Sequence, residues 1–566
     1  MIEKPLIKNK SSNKEPNVLP NLLILGLIKP KNNAADMIRG AYIAYFWRQC
    51  RTSNSRLSVI KAFIVSPWTI IKDIREWTKR LGLAAKKAFG KSLVRQMLEQ
   101  FYLHFVYSIN STDYYLQEFY RQDGLEMANS FVNRLALKNG VYNLLINYGN
   151  SMYGYPDSVS LNKKTAFINF CKKNSIPVVP IIMRFQANGT VIDYRDGNQN
   201  KMILPQEDLF CKPDKGKEGR GAEAWYWNGK GGYENSEGVK LNRDELKERL
   251  YVLAKYHSSK AYIVQPIMLP HHDLKPFRIN ATPTIRIISY LDSERVIKID
   301  GAMLRFSLNP IIVVDNACLG GMVAAIDPMT GKLRSATMGG SIDRINKRIK
   351  IMDDNKTRIQ GFQIPYWEES CKLIIKLHHY FPHRIIIAWD VLISQEGPLI
   401  LEGNSQSGLY ALQKAHLTPL GKMDLGNAMA SHIQDAFNTF YSGLLGNDKN
   451  NAKNESIDLF RGSKLRRQLA WLRLDSSKAV HLIINGNLQD VYYLKWLKKK
   501  AKNYRINGWV RNNIDGTVET VLKGKAIDIE DLVNECWKGP PKAEVSSIKA
   551  YWYDDTVPNK FEKKNS

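Results

Sequence analysis

The sequence predicts a multidomain protein of mixed α/β and α+β class. Its 566 residues and 44% hydrophobic content are enough for about two to four domains with their own cores. Apolar, β-branched runs at 385–393 and 398–401 flank the turn signal Gln395-Glu396-Gly397 and predict a β-hairpin. A helical pattern over 160–175 precedes a strand pattern over 178–182, so helices alternate with strands there. Residues 37–123 are largely helical by pattern.

The chain is strongly basic, with 82 Lys and Arg against 54 Asp and Glu, a net charge of +28. This balance indicates an anionic partner: a nucleotide, a nucleic acid or an anionic lipid surface. No sequence-specific nucleic-acid module is visible, so no specific nucleic acid is expected. The six cysteines contain no CxxC pair, which predicts reduced thiols in a cytoplasmic protein rather than a disulfide framework or a zinc site.

Residues 1–100 carry nearly half of the excess charge, 19 Lys and Arg against 6 Asp and Glu. The apolar stretch 19–28 is too short to span a bilayer, so neither a transmembrane helix nor a signal peptide is expected. The predicted helix 67–81 combines tryptophans with basic residues and could contact an anionic membrane at its inner face. The alternative, a helix packing its apolar side on the next domain, is favoured because most amphipathic helices face a core.

The predicted hairpin carries a candidate metal site. Asp390 lies on its first strand, and Glu402 and Asn404 lie at the end of its second. Residues two apart point to the same side of an extended chain, so Glu402 and Asn404 face together. Two carboxylates and an amide oxygen form a hard-oxygen site suited to Mg²⁺. The alternative is a hairpin whose polar positions simply face solvent.

A second candidate site lies upstream, where a short strand ends at Lys212 and a glycine-rich basic loop, 216–221, follows. Glycines let backbone N–H groups approach phosphate oxygens, and Lys212 adds a positive charge. The loop contains no GxxxxGK[ST] and opens no helix, so it is neither a Walker loop nor a Rossmann turn. A flexible surface loop is the alternative.

The order of these motifs resembles the ATP-grasp superfamily, and most closely its sugar-transfer-associated branch. The resemblance covers roughly residues 142–422. Further matching segments are Lys164 with Ile176-Pro177, Gln265–His271, Thr284-Ile285-Arg286, Gly320-Gly321 and Asp327 to Gly331.

The resemblance implies an ATP- and Mg²⁺-binding site between two lobes. It implies one or two Mg²⁺ ions, replaceable by Mn²⁺, and a loop that closes over the nucleotide. The expected cofactor-binding residues are Lys164, Lys212, Gly216, Gly219, Gly221 and Gln265, and the expected metal ligands are Asp390, Glu402 and Asn404. Gln265 would lie near adenine. The alternative is that it is an ordinary residue of a buried strand between the two lobes.

Two arginines are candidate catalytic residues, because a guanidinium can stabilise a transferring phosphoryl group. Arg286 matches the branch pattern, which favours the catalytic role over a surface salt bridge. For Arg305, a catalytic role and a surface salt bridge are equally compatible with the sequence. His271 is a candidate substrate contact.

The implied reaction is an ATP-dependent ligation of a carboxylate to an amine or thiol through an acylphosphate. The branch name associates it with cell-surface polysaccharide or peptide biosynthesis. A phosphotransferase acting on a hydroxyl is one alternative, and a non-catalytic nucleotide-binding scaffold on a membrane is another.

The C-terminal region resembles the acylphosphatases, a small βαββαβ (ferredoxin-like) family, through Gly508–Asn512, Asp515–Val518 and Gly539–Ala543. The water-positioning Asn512 is retained, but Leu494 replaces the catalytic arginine and Asp490 replaces a glycine of the phosphate loop. Because leucine cannot bind phosphate and aspartate repels it, we expect this domain to have lost hydrolysis.

The predicted boundaries follow from these patterns. They are a basic, partly disordered N-terminus (1–36), a helical basic region (37–141), the ATP-grasp domain (142–440), a polar linker (441–475), the acylphosphatase-like domain (476–553) and a disordered tail (554–566).

Overall fold

The computed structural model describes residues 33–49, 66–153, 161, 163–195, 203–216, 219–315, 321–339, 345, 348–352, 356–445, 457–459, 479–488, 491–513, 515–553 and 556–564. The predictions for residues 1–32 and for Asp490 lie outside these ranges. The chain divides into two compact units, Met1–His432 and Ile433–Ser566. Among the helices described, none has both the length and the apolarity needed to cross a bilayer.

The first part of unit one is helical, as its pattern predicts. Side-chain caps start several helices: Ser92 accepts from the N–H of Arg95, and Asn110 accepts from that of Asp113. The helices are α1 (Ala34–Gln49), α2 (66–77), α3 (Leu83–Phe89), α4 (Leu93–Tyr107), α5 (Ser111–Leu116), α6 (Gly124–Ser130), α7 (Arg134–Ala136) and α8 (Tyr142–Tyr153), with π-helical turns at Thr78–Gly82 and Leu137–Val141.

The burial of α2 bears on the two interpretations of the predicted helix 67–81, which were membrane contact and packing of its apolar side. Ile70 and Ile74 are buried, and the ring of Trp77 stacks on Tyr115 with centroids 6.4 Å apart. Trp68 alone among the larger apolar side chains of α2 is strongly exposed, at 76%. Most of the apolar side of α2 is therefore buried, and the contact of Trp77 is with Tyr115 of the helical region itself.

The middle of unit one contains an antiparallel seven-stranded sheet with the order β2-β1-β7-β3-β4-β5-β6. Helix α10 packs against β1 and β7, and its start is fixed by a capping box between Asn242 and Glu245. The elements are α9 (Lys164–Lys173), β1 (Met183–Gln186), β2 (Val191–Asp193), β3 (Leu209–Pro213), β4 (Glu223–Trp227), β5 (Gly232–Asn235), β6 (Lys240–Asn242), α10 (Arg243–Tyr256) and β7 (Ala261–Pro266).

A second antiparallel sheet of six strands has the order β11-β10-β9-β8-β12-β13. The predicted hairpin is confirmed as β12 and β13, which are joined by a turn at residues 395–396. The elements are β8 (Thr284–Leu291), β9 (Ile297–Phe306), β10 (Met322–Ile326), β11 (Leu333–Met338), α11 (Trp367–His379), β12 (Ile386–Ser394), β13 (Gly397–Asn404), α12 (Leu409–His416) and α13 (Asp424–Leu445), with 3₁₀ turns at His272–Phe277 and Leu420–Lys422.

The two faces of this second sheet have different chemistry, because successive side chains of a strand point to opposite faces. Ile285, Ile287 and Leu304 join a large apolar core that includes Ile374 and Leu377 of α11. The positions between them, such as Arg286 and Arg305, belong to the other face. One face of the sheet therefore anchors the fold, and the other is available for chemistry.

Unit two contains a six-stranded sheet with the order β14-β18-β15-β17-β16-β19, antiparallel except for the parallel pair β16 and β19. Two helices cover its apolar core. The elements are β14 (Ile457–Leu459), β15 (Ala479–Asn487), α14 (Tyr493–Asn503), β16 (Asn507–Asn512), β17 (Val518–Lys523), α15 (Ala526–Lys538), β18 (Glu544–Tyr553) and β19 (Phe561–Lys563).

Two predicted boundaries were wrong. The linker 441–475 includes the end of α13 and strand β14, which pairs with β18 through Ile457 and Ala550. The disordered tail 554–566 includes β19, which pairs with β16 through Phe561 and Gly508. The physical reason is burial: Phe561 is only 8% exposed and belongs to the core of unit two.

We therefore expect Phe561→Ala to destabilise unit two by about 3 kcal/mol, since deleting a buried phenyl ring removes apolar burial and leaves a cavity. Amide hydrogen exchange of β16 in the full chain should accelerate accordingly. The matched control is Lys563→Ala, which changes an exposed side chain of the same strand. Equal protection in both variants would contradict the assignment of β19 to the core.

Candidate active site

The register of the second sheet brings four predicted site residues together. Asp390 on β12 lies directly opposite Glu402 on β13 and opposite Arg286 on β8. Arg305 on β9 lies opposite Thr284, two residues from Arg286 on the same face of β8. Charged side chains therefore form a row across four adjacent strands.

Asp390 is the centre of this row. It is 4% exposed, and its two carboxylate oxygens accept bonds from Nε and a terminal nitrogen of Arg286, at 2.8 and 2.7 Å. A terminal nitrogen of Arg305 lies 3.3 Å from the same carboxylate. Burial raises the pKa of Asp390, but the two guanidinium groups outweigh it and lower the pKa to about 2. Asp390 is therefore ionised at neutral pH.

Arg305 links Asp390 to a residue that the sequence did not single out. Its guanidinium donates to the Thr284 hydroxyl at 2.7 Å and lies 3.3 Å from the carboxylate of Asp315. The Thr284 hydroxyl in turn donates to Asp315. Burial raises the pKa of Asp315, although Arg305 and the Thr284 hydrogen bond oppose that shift. The only signal for Asp315 in the sequence is its place directly after the apolar run 311–314.

The two predicted phosphate-binding lysines face Glu402. The ammonium of Lys164, at the start of α9, lies 3.7 Å from the Glu402 carboxylate and donates to the carbonyl of Gly216 at 3.5 Å. The amide of Asn404 donates to Glu402 at 3.2 Å. Burial lowers the pKa of Lys212 to about 8, against the opposing effect of the Glu402 charge. The structure thus joins the two halves of the predicted site around Glu402.

Asp214 positions Lys164 and was also missed by the sequence analysis. Its carboxylate accepts from the N–H and hydroxyl of Thr165, at 2.9 and 2.8 Å, and its carbonyl accepts from the N–H of Lys164. Its other carboxylate oxygen accepts from Arg184 at 3.1 Å. Asp214 therefore caps α9 from a different element, which no local sequence pattern could reveal.

The glycine-rich loop is partly described, since residues 217 and 218 are not. Gly219 and Gly221 have φ values of +67° and +76°, a left-handed backbone that favours glycine. A Cβ at Gly221 would lie 2.6 Å from the Tyr262 hydroxyl, which donates to the Gly221 carbonyl. Gly221 is therefore needed for the path of the loop, whereas Gly216 and Gly219 line the cavity.

Gln265 and His271 have different environments. The side-chain amide of Gln265 donates to the carbonyls of Val179 and Pro180, at 3.0 and 3.3 Å, so it braces a cavity wall. His271 is not part of the cavity lining; its backbone N–H bonds to Ile393, and its ring lies 4.1 Å from that of His272. The structure therefore does not bring His271 to the other site residues.

The predicted site residues of unit one other than Gly221 and His271 line one cavity of about 1280 Å³. This exceeds the roughly 300–1,000 Å³ of a pocket for one small ligand, so the cavity has room for two. Its described lining contains nine basic and four acidic residues: Arg134, Lys138, Lys164, Lys212, Lys215, Arg220, Arg286, Arg305 and Arg384 against Asp113, Asp315, Asp390 and Glu402. Such a surplus of positive charge suits a polyanionic ligand.

The residues also fit a hard divalent cation. Asp390 and Glu402 are directly opposite, and both line the cavity with Asn404. Oδ2 of Asp390 faces both Arg286 and Arg305, whereas Oδ1 accepts one bond from Arg286, so Oδ1 keeps acceptor capacity for a metal. The donor set, two carboxylates and an amide oxygen, is the type that Mg²⁺ prefers.

In unit two, the residues of the predicted phosphate site are partly described. Leu494, in the first turn of α14, is half-buried and packs against the apolar core. Asn512 ends β16 opposite Val518. The side chain of Leu494 is therefore used for packing.

Two family models match the chain. One, described as sugar-transfer associated ATP-grasp, matches residues 144–423, and one described as acylphosphatase matches residues 480–563. The acylphosphatase of Pelotomaculum thermopropionicum is 41% identical over 81 residues, 14% of this chain and 88% of that protein. The acylphosphatase of Acidiphilium cryptum is 41% identical over 70 residues, 12% of this chain and 77% of that protein.

Among solved structures, the D-alanine–D-alanine ligase from Bacillus anthracis complexed with ATP is similar at 10% identity and a TM-score of 0.27. The similarity covers 49% of this chain and 66% of that one. The family matches agree with the motifs and with the site that those motifs build. Residues 144–423 therefore match the sugar-transfer-associated ATP-grasp family, and residues 480–563 belong to the acylphosphatase family.

Proposed function

We propose that the protein is an ATP- and Mg²⁺-dependent ligase that joins a carboxylate to an amine, or to a thiol, through an acylphosphate. The observation that carries this proposal is the cavity lined by nine basic and four acidic described residues. A nucleoside triphosphate carries about four negative charges near neutral pH, which complements that surplus. The match to an ATP-grasp family supports ATP as the phosphate donor.

The cavity lining has apolar groups suited to the base of a nucleotide and basic groups suited to its phosphates. Apolar side chains of Val179, Phe210 and Leu392 line the same cavity and could hold a base between them. Lys164 and Lys212 would neutralise phosphate charge, and the left-handed glycine Gly219 would let loop backbone approach phosphate oxygens. Closure of this loop would keep water from a reactive intermediate.

Asp390, Glu402 and Asn404 would hold Mg²⁺, which when bound neutralises charge on the phosphates. Arg286 and Arg305 lie beside Asp390 at hydrogen-bond or ion-pair distance. They would stabilise the negative charge of a transferring phosphoryl group. Asp315 and Thr284 hold Arg305 in that place.

In the proposed reaction, a carboxylate oxygen of the substrate attacks the γ-phosphorus, the bond to the β,γ-bridging oxygen breaks, and ADP leaves. The amine nitrogen then attacks the acyl carbon, loses a proton, and inorganic phosphate leaves. Orientation and charge stabilisation supply this catalysis, so no nucleophilic side chain is required. Polar groups from the helical region, such as Asn110, Asp113 and Arg134, line the cavity and would contact the second substrate.

The reaction class can be tested with hydroxylamine, which traps an acylphosphate as a hydroxamate. The full chain is incubated with MgATP, hydroxylamine and a panel of amino, hydroxy and sugar acids. Carboxylate-dependent ADP release with matching hydroxamate supports the ligase. ADP release with a phosphorylated alcohol would establish a phosphotransferase instead, and absence of turnover with intact MgATP binding would favour a scaffold.

In this assay, Glu402→Gln should lower turnover by about 10²-fold or more, because it keeps the side-chain shape but removes a charge from the metal and lysine cluster. Mn²⁺ binding in the presence of ATP, measured by electron paramagnetic resonance, should weaken in parallel. Glu396→Gln, in the turn of the same hairpin, is the control and should leave both readouts unchanged. Parental Mn²⁺ affinity in Glu402→Gln would exclude the metal assignment.

Lys212 should make ATP affinity pH-dependent. Its pKa lies at about 8, so its positive charge is present below that pH and is lost as pH rises through it. We expect ATP affinity to fall about tenfold between about pH 7 and about pH 9 by calorimetry. Lys212→Met should bind ATP about 10- to 100-fold more weakly at pH 7 and lose this pH dependence.

The matched control is Lys215→Met, which alters an exposed lysine of the same cavity and should retain the pH dependence. A parental pH profile in Lys212→Met would show that another group is responsible.

We further propose that the acylphosphatase domain no longer hydrolyses acylphosphates. The half-buried Leu494 packs on the core and offers no positive charge for a phosphate. The full chain should therefore not accelerate benzoyl phosphate hydrolysis, whereas Leu494→Arg combined with Asp490→Gly should restore it. Leu494→Met, which preserves the apolar contact, is the control. Efficient hydrolysis by the parent chain would refute this proposal.

A further inference from the structure

Helix α4 has an unusual distribution of side chains. Its buried positions are mostly polar, namely Gln96, Glu99, Gln100 and His104, together with Leu103. Its exposed positions include the large apolar side chains Val94 (68%), Leu98 (66%), Phe101 (44%) and Tyr102 (49%). This is the reverse of the arrangement expected for a helix surrounded by water on its outer side.

The polar side chains inside are well paired, so the orientation of α4 is fixed. Glu99 accepts from Lys91 and from the Tyr114 hydroxyl, each at 2.8 Å, and from Arg95 at 3.0 Å. Gln96 donates to the carbonyl of Gly82 at 3.0 Å. Rotating α4 to bury its apolar side would leave these groups without partners, which is costly for a buried carboxylate and ammonium.

The exposed apolar side chains form one stripe. Val94 and Leu98 are four residues apart, and Phe101 and Tyr102 follow Leu98 by three and four residues, the spacing that brings side chains to one helix face. The half-buried Phe105 follows at the same spacing. The rings of Phe101 and Phe105 lie 4.6 Å apart, which extends the stripe along the helix. A contiguous exposed stripe of this kind marks a contact surface rather than scattered surface residues.

The charges on α4 and on the helices that adjoin it in the chain are mostly positive. On α2, α3, α4 and the turn between α2 and α3, the exposed basic residues outnumber the exposed acidic ones. The basic residues are Lys72, Arg75, Lys79, Arg80, Lys86, Lys87 and Arg95, and the acidic ones are Asp73 and Glu76. Leu83 on α3 and Trp68 on α2 add exposed apolar groups, at 65% and 76%.

We propose that the stripe Val94, Leu98, Phe101, Tyr102 and Phe105 docks on the surface of an anionic lipid bilayer. A helix in the interface plane inserts its apolar face shallowly among the acyl chains while basic residues nearby pair with headgroup phosphates. The aliphatic and aromatic stripe and the basic surplus provide both components. This places the contact on α4, not on the apolar side of α2, which is largely buried.

Docking of α4 would also orient the cavity. α4 ends at Tyr107, and the residues that follow, Ser108 and Asn110, line the cavity. That wall would therefore lie close to the membrane surface. The docking proposal is independent of whether the cavity catalyses ligation or phosphoryl transfer.

The test uses the full chain and vesicles of phosphatidylcholine with or without about one third phosphatidylglycerol. Co-sedimentation should show binding to the anionic vesicles, weaker binding to the neutral ones, and partial loss at high salt. Leu98→Ser with Phe101→Ser should reduce partitioning onto anionic vesicles at least about tenfold at low and high salt alike, because it removes the inserted groups.

The matched control is Val296→Ser with Met329→Ser, which changes side chains that are 51% and 90% exposed elsewhere in unit one. It should bind as the parent does. Lys86→Gln with Lys87→Gln should weaken binding at low salt only, since it removes the screened charge component. If Leu98→Ser with Phe101→Ser lowers the melting temperature, Val94→Ser with Leu98→Ser, both strongly exposed positions, takes its place.

Vesicle binding at the parental level by the α4 variants would overturn the proposal. If these variants also changed from dimer to monomer in light scattering, the stripe would be assigned to a second copy of the chain. If deletion of residues 1–32 abolished vesicle binding instead, the lipid contact would be assigned to that segment.

Discussion

The ion pair between Arg286 and Asp390 is the interaction on which the site depends. Burying either charge alone would cost about several kcal/mol, so each is tolerable only while the other faces it. The pair spans β8 and β12, where the register puts the two residues directly opposite. A slip by one residue would move Asp390 to the face where Trp389 now packs in the apolar core. The apolar core thus fixes the position of the charges, and correct register is a condition for both folding and function.

Around this pair, the basic residues that line the cavity outnumber the acidic ones. Burial already lowers the pKa of Lys212, which means that its ammonium is destabilised in the ligand-free protein. In the proposed function, an anion bound in the cavity would offset that cost of burial, so the cluster would be organised for a ligand before the ligand arrives. Glu402 already offsets part of the cost, because it lies within 3.7 Å of Lys164 and opposes the pKa shift of Lys212. Preorganisation of this kind would place the binding free energy at the phosphates of the ligand and require little local rearrangement.

Two kinds of sequence information predict parts of this site: local periodicity, and the family resemblance that assigned Lys164, Gln265 and Arg286. Asp390, Glu402 and Asn404 could be placed on one hairpin because strands alternate with period two and a turn signal separates the runs. Asp214 and Asp315 escaped prediction because their partners, Thr165 and Arg305, belong to other elements, and alternation carries no information about which elements meet. Strand β19 was not predicted for the same reason. Three residues are too few to show an alternating pattern, and the pairing of Phe561 with Gly508 is long-range.

Helix α4 shows where periodicity misleads. Its pattern is amphipathic, and an amphipathic pattern alone would assign the stripe of Leu98 and Phe101 to the core. In the structure, Glu99 and Gln96 face the interior, and their hydrogen bonds to Lys91 and Gly82 hold α4 in this orientation. The apolar stripe therefore faces outward. Leaving large apolar side chains in water forgoes about 1.5–3 kcal/mol for each one that could be fully buried. The four exposed side chains of the stripe, Val94, Leu98, Phe101 and Tyr102, therefore destabilise the protein in water. An apolar medium that covered them would remove that cost and leave the polar bonds beneath unchanged.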